Sequence, residues 1–370
     1  MMRLVFLALL LLPGMAAAAE PMRIGIIAPT TGPIATVGAR QLSAVKWWQQ
    51  SIAAAGGING RKVELVTCND EGNPEKAVNC ARDLLSQGIV LLLNSSVTGP
   101  IRATMPLVAH GPVMLTPSPN VLPPPDSFVF QTSASDMDLT QAIADYMHQS
   151  GTDRIGVIAA TDASGEVGVA SAAAVFPPNH IKYDLARIDP RANDASVQLS
   201  EVARDKKLIY SNYSGAGAAA VVKSYANLGL EQPLLISYAN ISDAFIALIK
   251  ADMPQRLLGT AIRAVSPELI MDPTQRRHLV EFQQSYEAWS HDRADSLTLQ
   301  GLILADVAEA ILRQVPNPAD PVAVRHFLET TPISSVQTIA FSPQRHIGMG
   351  ADGIAIVEWK DGSWIKAPPL

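Results

Sequence analysis

The chain has 370 residues and carries 28 Lys and Arg against 34 Asp and Glu, a formal net charge of −6. So mild a charge, with no basic run, argues against a nucleic-acid partner. Hydrophobic residues make up 48% and aromatics 5% of the chain, which suits α/β layers and excludes a largely disordered one.

Taken from its start, the chain opens with the marks of an export signal. Arg3 supplies a positive charge, residues 4–12 form an unbroken apolar run, and Pro13-Gly14 breaks it. Ala16-Ala17-Ala18-Ala19 then offers small residues where a signal peptidase reads, just before Glu20. The apolar run is about half of the ~20 residues that span a bilayer. Residues 1–19 therefore read as a signal peptide cleaved near Ala19, with no cysteine at the cut to carry a lipid. The mature chain is too long for one ordinary core and points to two lobes.

Strands and helices then alternate. A β-rich run at 22–28 ends in the turn residues 29–33, and a helix follows over about 39–54, stopped by Gly56-Gly57. Strand 62–67 leads to Asn73-Pro74, a cap and first-turn proline for a helix ending near Gly88. Residues 89–93 form an apolar strand of the buried parallel kind, with a helix over about 100–109 and a strand at 113–116 behind it. Cys68 ends the second strand, and Cys80 shares a helix face with Ala77, Ala81 and Leu84. In an oxidising compartment the two are a disulfide candidate, the alternative being two buried thiols.

The same grammar restarts after a polar stretch at 131–138. Strands at 154–160, 207–210 and 233–237 alternate with helices at 166–174, 218–228 and 243–250. Strand-helix repetition twice over predicts two doubly wound α/β lobes. Two long helices, 274–289 and 296–314, precede a terminal hairpin, 353–359 and 363–366, with an Asp361-Gly362 turn. These are additions to the earlier lobes, so the chain crosses between lobes more than once.

At this point the residues carry a family pattern. Ala55-Gly56-Gly57-Ile58-Asn59-Gly60-Arg61-Lys62-Val63-Glu64 is its most specific piece. Ile24-Gly25-Ile26, Thr31-Gly32-Pro33, Asn73-Pro74-Glu75-Lys76-Ala77, Pro117-Ser118-Pro119 and Phe341-Ser342-Pro343 support it in order. The chain resembles the type I periplasmic binding proteins that serve branched-chain amino-acid-type ABC transporters. That resemblance implies a periplasmic monomer whose two lobes, joined by a three-crossing hinge, close on a small solute and deliver it to permease subunits. It implies crossings near 131–135, 263–266 and 340–343, with lobe 1 at 20–133 plus 265–341 and lobe 2 at 134–264 plus 342–370.

Open α/β sheets bind ligands beyond the carboxyl ends of their strands, which selects four loops here. Ser95, Ser96 and Thr98 enter a helix start, where free N–H groups and hydroxyls suit a carboxylate, although one of them could simply cap the helix. The resemblance assigns Ser95 and Ser96 to that carboxylate. Thr116, Ser118 and Asn120 form a second loop; Ser164 and the pair Asn212-Tyr213 come from the other lobe. The family's amino-acid binders carry an acid just after the strand read at 233–237, to pair with the ammonium. This chain has Tyr238-Ala239-Asn240 there. An amino acid would then need Asp162 for its ammonium, and an amine-free carboxylate becomes an equal candidate.

Catalytic and cofactor readings are weaker. Gly215-Ala216-Gly217-Ala218-Ala219-Ala220 fits a dinucleotide fingerprint, but the acid expected about 20 residues on is missing, so the small residues read as close packing. No histidine pair has metal-ligand spacing and no GxSxG elbow occurs, so no cofactor, metal or catalytic residue is expected. A sensor that presents its solute to a membrane receptor is the alternative to transport.

Overall fold

A computed structural model describes residues 20–370. The expected signal peptide at 1–19 lies outside the described residues. Strands β1 (Met22–Ile27), β2 (Val63–Cys68), β3 (Leu91–Asn94), β4 (Val113–Thr116) and β5 (Val129–Gln131) form one parallel sheet in the order β2-β1-β3-β4-β5. Helices α1 (Ala35–Ala54), α2 (Pro74–Ser86) and α3 (Thr98–Thr104) cross between its strands. β3 and β4 are buried along their whole length, as unbroken apolar strands of a covered parallel sheet should be. Gly56 and Gly57 end α1 at φ of 89° and 93°, a left-handed backbone that glycine adopts without a Cβ penalty. Asn73 caps α2 by accepting the N–H groups of Glu75 and Lys76.

Cys68 at the end of β2 and Cys80 on the buried face of α2 form a disulfide, Cα to Cα 5.7 Å. It closes a loop of 12-residue separation, so Cys80→Ser with Cys68→Ser should cost about 2–3 kcal/mol. Urea unfolding of the two forms measures this, and coincident midpoints would show that the bridge adds nothing.

The second half begins with α4 (Asp136–Gln149) and continues through β6 (Arg154–Ala160), α5 (Ala163–Val175), β7 (Lys182–Ile188) and α6 (Ser196–Val202). Then come β8 (Leu208–Asn212), α7 (Gly215–Asn227), β9 (Leu234–Ile236), α8 (Asp243–Ile249) and β10 (Leu257–Ile262). Helices α9 (Pro273–Ser290), α10 (Ser296–Gln314) and α11 (Pro321–Thr330) return to the first sheet and share its core. The short pair β11 (Ile333–Ser334) and β12 (Thr338–Ile339) follows, and the hairpin β13 (Ile354–Lys360) and β14 (Ser363–Lys366) ends the chain. The second sheet runs β14-β13-β10-β9-β8-β6-β7, parallel except for the hairpin. Asp361 and Gly362 make the hairpin turn with φ of 50° and 81°.

The chain therefore passes between the sheets three times: between β5 and α4, between β10 and α9, and between β12 and β13. The third passage differs from the expected 340–343. Residues 346–348 stay on the first sheet, where Gln131 N–H donates to the His346 carbonyl and Gly348 N–H donates to the Gln131 carbonyl, both at 2.8 Å. The open edge of β5 needs these partners, and the buried His346 ring stacks on Phe130 at 3.9 Å. Arg345 also donates to Asp138 at 2.8 Å, tying the third passage to the first.

Candidate ligand-binding cleft

A cavity of about 470 Å³ lies between the two sheets. It sits at both topological switch points: between β1 and β3 in one sheet, and between β6 and β8 in the other.

Its first wall is built on the close contact of α1 with α10. Gly301 permits that contact, since a Cβ there would lie 2.3 Å from the Gln41 carbonyl oxygen. Gln41 is fully buried, and its Oε1 accepts the Ser96 N–H at 3.0 Å. A backbone N–H can only donate, so this bond fixes which way the Gln41 amide faces. Gln41 Nε2 then donates to Ser96 Oγ and to Gln300 Oε1, both at 2.8 Å. With their acceptor sides used, the Ser96 hydroxyl proton and Gln300 Nε2 are free to donate into the cavity, which both residues line. Gln300 Nε2 is buried and has no partner. Beside them α3 starts at Val97 without a side-chain cap, leaving first-turn N–H groups at Thr98 and Gly99. None of the three hydroxyls expected there caps the helix.

The expected site residues divide into two layers. Ser96, Thr98, Asn120, Ser164, Asn212, Tyr213 and Tyr238 line the cavity. Ser95, Thr116 and Ser118 do not; they tie the loops together behind the wall. Thr116 Oγ1 donates to the Ser95 carbonyl at 3.1 Å, and the Ser118 and Thr98 hydroxyls meet at 3.2 Å. Asn120 spans the cleft, its Nδ2 donating to Ser164 Oγ at 2.5 Å. Tyr213 is buried against Gly217, where a Cβ would meet its ring at 2.0 Å, so the small residues of the weighed fingerprint serve packing. Its hydroxyl donates to the Asp189 carbonyl at 3.2 Å, and burial pushes that hydroxyl up to about 12. Tyr238 is buried with an unpartnered hydroxyl, which burial also pushes well above its ordinary range.

The loop after β9 supplies no acid to the cavity. Asn240 accepts the Gly215 N–H at 3.1 Å and donates to the Tyr213 carbonyl at 2.7 Å, while Asp243 faces Arg293 at 3.8 Å. Among the described residues, the charged side chains lining the cavity are Asp136 and Asp162; no Lys, Arg or His lines it. Asp162 caps α5, its Oδ1 accepting the Gly165 N–H at 2.8 Å.

Sequence reasoning missed Gln41, Gln300 and Asp136. Gln300 was findable, because an amide between Leu299 and Leu302 on an otherwise apolar helix face asks for a reason. Asp136 reads as a solvated helix-start charge, yet it is 4% exposed, and burial pushes its carboxyl up to about 6 against the opposing Ser171 hydroxyl.

The model of the periplasmic binding protein family matches residues 21–363. A curated relative, Leu/Ile/Val-binding protein homolog 3 of Brucella melitensis, is 24% identical over 94% of this chain and 93% of its own length. A solute-binding protein of an ABC transporter from Rhodopseudomonas palustris, solved with benzoate, superposes at a TM-score of 0.77 with 20% identity, covering 94% of this chain and 95% of that one. An ABC transporter substrate-binding protein from Desulfitobacterium hafniense, solved with Leu, gives 0.74 with 18% identity, covering 94% and 100%.

Proposed function

Because the chain belongs to the periplasmic binding protein family, we propose that it is the solute-capturing component of an ATP-driven importer. It works as a monomer in the periplasm, closes on a small carboxylate-bearing solute and delivers it to the permease subunits. The observation that carries the ligand class is the preset donor polarity of Ser96 and Gln300 beside the uncapped start of α3. Neutral donors held in place by a buried amide are suited to a carboxylate, because they need no reorientation when it arrives. Leucine and benzoate, the ligands in two similar solved structures, both bear that group. The walls beyond the donors, with Leu139, Tyr210, Phe245 and Leu297, suit an apolar body.

A thermal-shift screen of residues 20–370 against amino acids and amine-free carboxylates tests this. At about 1 mM, a ligand of micromolar affinity adds roughly 4 kcal/mol and raises Tm by several degrees. Ser96→Ala with Gln300→Leu should weaken the best hit at least tenfold while the chain stays folded. Unchanged affinity would remove the carboxylate site from this wall.

A further inference from the structure

We propose that Arg293 is a latch: from outside the cavity it binds the half of the molecule built on the second sheet, holds the cleft closed, and so raises affinity for every solute alike in a way that salt weakens. The proposal rests on the reading that the two halves close on a solute, and not on the class of that solute.

The loop 291–295 that carries Arg293 is a fixed arm. His291 ends α9 in the left-handed region at φ 58°, and Asp295 caps α10 by accepting the Thr298 N–H at 3.0 Å. Arg40 on α1, whose side chain is 14% exposed, holds the arm between these ends. Its Nε donates to Asp295 at 3.1 Å, and its two Nη groups bind Asp292 and the Arg293 carbonyl. Arg40 precedes Gln41, so the arm is anchored on the same turn of α1 that orients the first wall of the cavity.

From this arm the Arg293 side chain crosses to the other half. Its Nη1 donates to the Gly362 carbonyl at 3.2 Å in the β13–β14 turn and faces Asp243 Oδ2 at 3.8 Å at the start of α8. Helix α8 presents Ala244, Phe245 and Leu248 to the cavity, whereas Arg293, Asp243 and Gly362 do not line it. A contact made only on closing, and out of reach of the solute, favours closure without favouring one solute over another.

The opposite flank has its own bridge, Asn120 to Ser164, with Arg102 donating to the Asn120 carbonyl at 2.8 Å. Ser164 follows β6, Asp243 follows β9 and Gly362 follows β13, so β8 with its cavity residues Asn212 and Tyr213 lies between the two bridges. The two differ in kind. Asn120 and Ser164 are neutral and line the cavity, while the Arg293 and Asp243 side chains are 61% and 38% exposed, where salt screens their attraction. A pair this exposed, joined by one hydrogen bond, should shift the closing equilibrium about fivefold.

Disulfide trapping counts closing events with no solute present. Asn120→Cys with Ser164→Cys puts two thiols where the bridging atoms meet, and Cys68 and Cys80 are already joined to each other. In the mature chain the diamide-driven rate of that crosslink, followed by peptide mass spectrometry, should fall about fivefold when Arg293→Ala is added. Raising NaCl to about 1 M should slow it about twofold with Arg293 present and leave it unchanged with Arg293→Ala. Asp243→Asn should slow trapping less, and add nothing on top of Arg293→Ala. Thr98→Cys with Ser118→Cys, a pair within one half, is the control whose rate should follow none of these changes. Trapping indifferent to Arg293→Ala or to salt, or losses from Arg293→Ala and Asp243→Asn that add in full, would overturn the latch. Calorimetric titration of leucine and benzoate into the chain with and without Arg293→Ala gives the second readout. Every probe that binds should weaken by the same factor, and a loss confined to one of two binding probes would place Arg293 on the solute and overturn its role in closure. If neither probe binds and trapping still slows as expected, the carboxylate reading falls and the latch stands.

Discussion

Gly301→Val is expected to lower stability by more than about 3 kcal/mol, at or above the usual upper range for overpacking. The reason is what the new Cβ would meet. It would lie 2.3 Å from the Gln41 carbonyl oxygen and 2.9 Å from its Cα and carbonyl carbon, all backbone atoms of α1. A side chain could swing aside, but here the two helices must separate. They are a pair that closes the first core, which gathers Leu302, Ile303 and Leu304 of α10 with Leu42, Val45 and Trp48 of α1. Separation would also pull Gln300 away from Gln41, so ligand affinity should fall with stability. Gly301→Ala, with the same clash and fewer atoms, should lie between the two. Urea unfolding of the three forms gives the series, and a stable valine variant would mean that α1 and α10 can repack freely.

Gln41→Leu should have the larger effect on binding, although Gln41 itself does not line the cavity. Its loss leaves Gln300 Oε1 buried without a partner, at about 1–3 kcal/mol, and deprives the part-buried Ser96 N–H of its acceptor. More telling is the release of both donors, because the Ser96 hydroxyl and the Gln300 amide could then turn away from the cavity. Affinity for the best ligand should fall at least tenfold. Gln41→Glu separates positioning from packing, since its carboxylate keeps an acceptor for the Ser96 N–H but loses the donor that orients Gln300. A Glu variant that binds like wild type would show that Gln41 acts only as a structural filler.

Much of the architecture was legible because α/β alternation writes itself in period and punctuation. The apolar runs of β3 and β4, the Asn73-Pro74 cap and the Asp361-Gly362 turn each have one local cause. What escaped lacked such a cause. β7 scatters Lys182, Asp184 and Arg187 among apolar residues at a sheet edge, and so lacks the unbroken apolar run by which β3 was recognised. β10 carries Gly259 in its middle, where a Cβ would meet Ile241 at 2.2 Å, a tertiary reason that no strand propensity records. The loops of the cleft were found by topology, but their layering was not. Ser95, Thr116 and Ser118 belong to the same chemical type as Ser96, and only the packing of β3 against β4 turns them inward. Gln41 lies 55 residues before Ser96 and 259 before Gln300, so their meeting depends on the finished core.

The three passages between the sheets are not independent tethers. At the first sheet the third passage pairs with the first, Ile347 beside Gln131. At the second sheet it pairs with the second, Ile354 beside Ile262. The third passage is thus the middle strip of a three-strand strap, laced to one neighbour at each end. A strap of this kind folds readily across its width and resists both twisting and sideways bending. If the two sheets close on a solute as proposed, this lacing favours rotation about one axis over twisting of one sheet against the other.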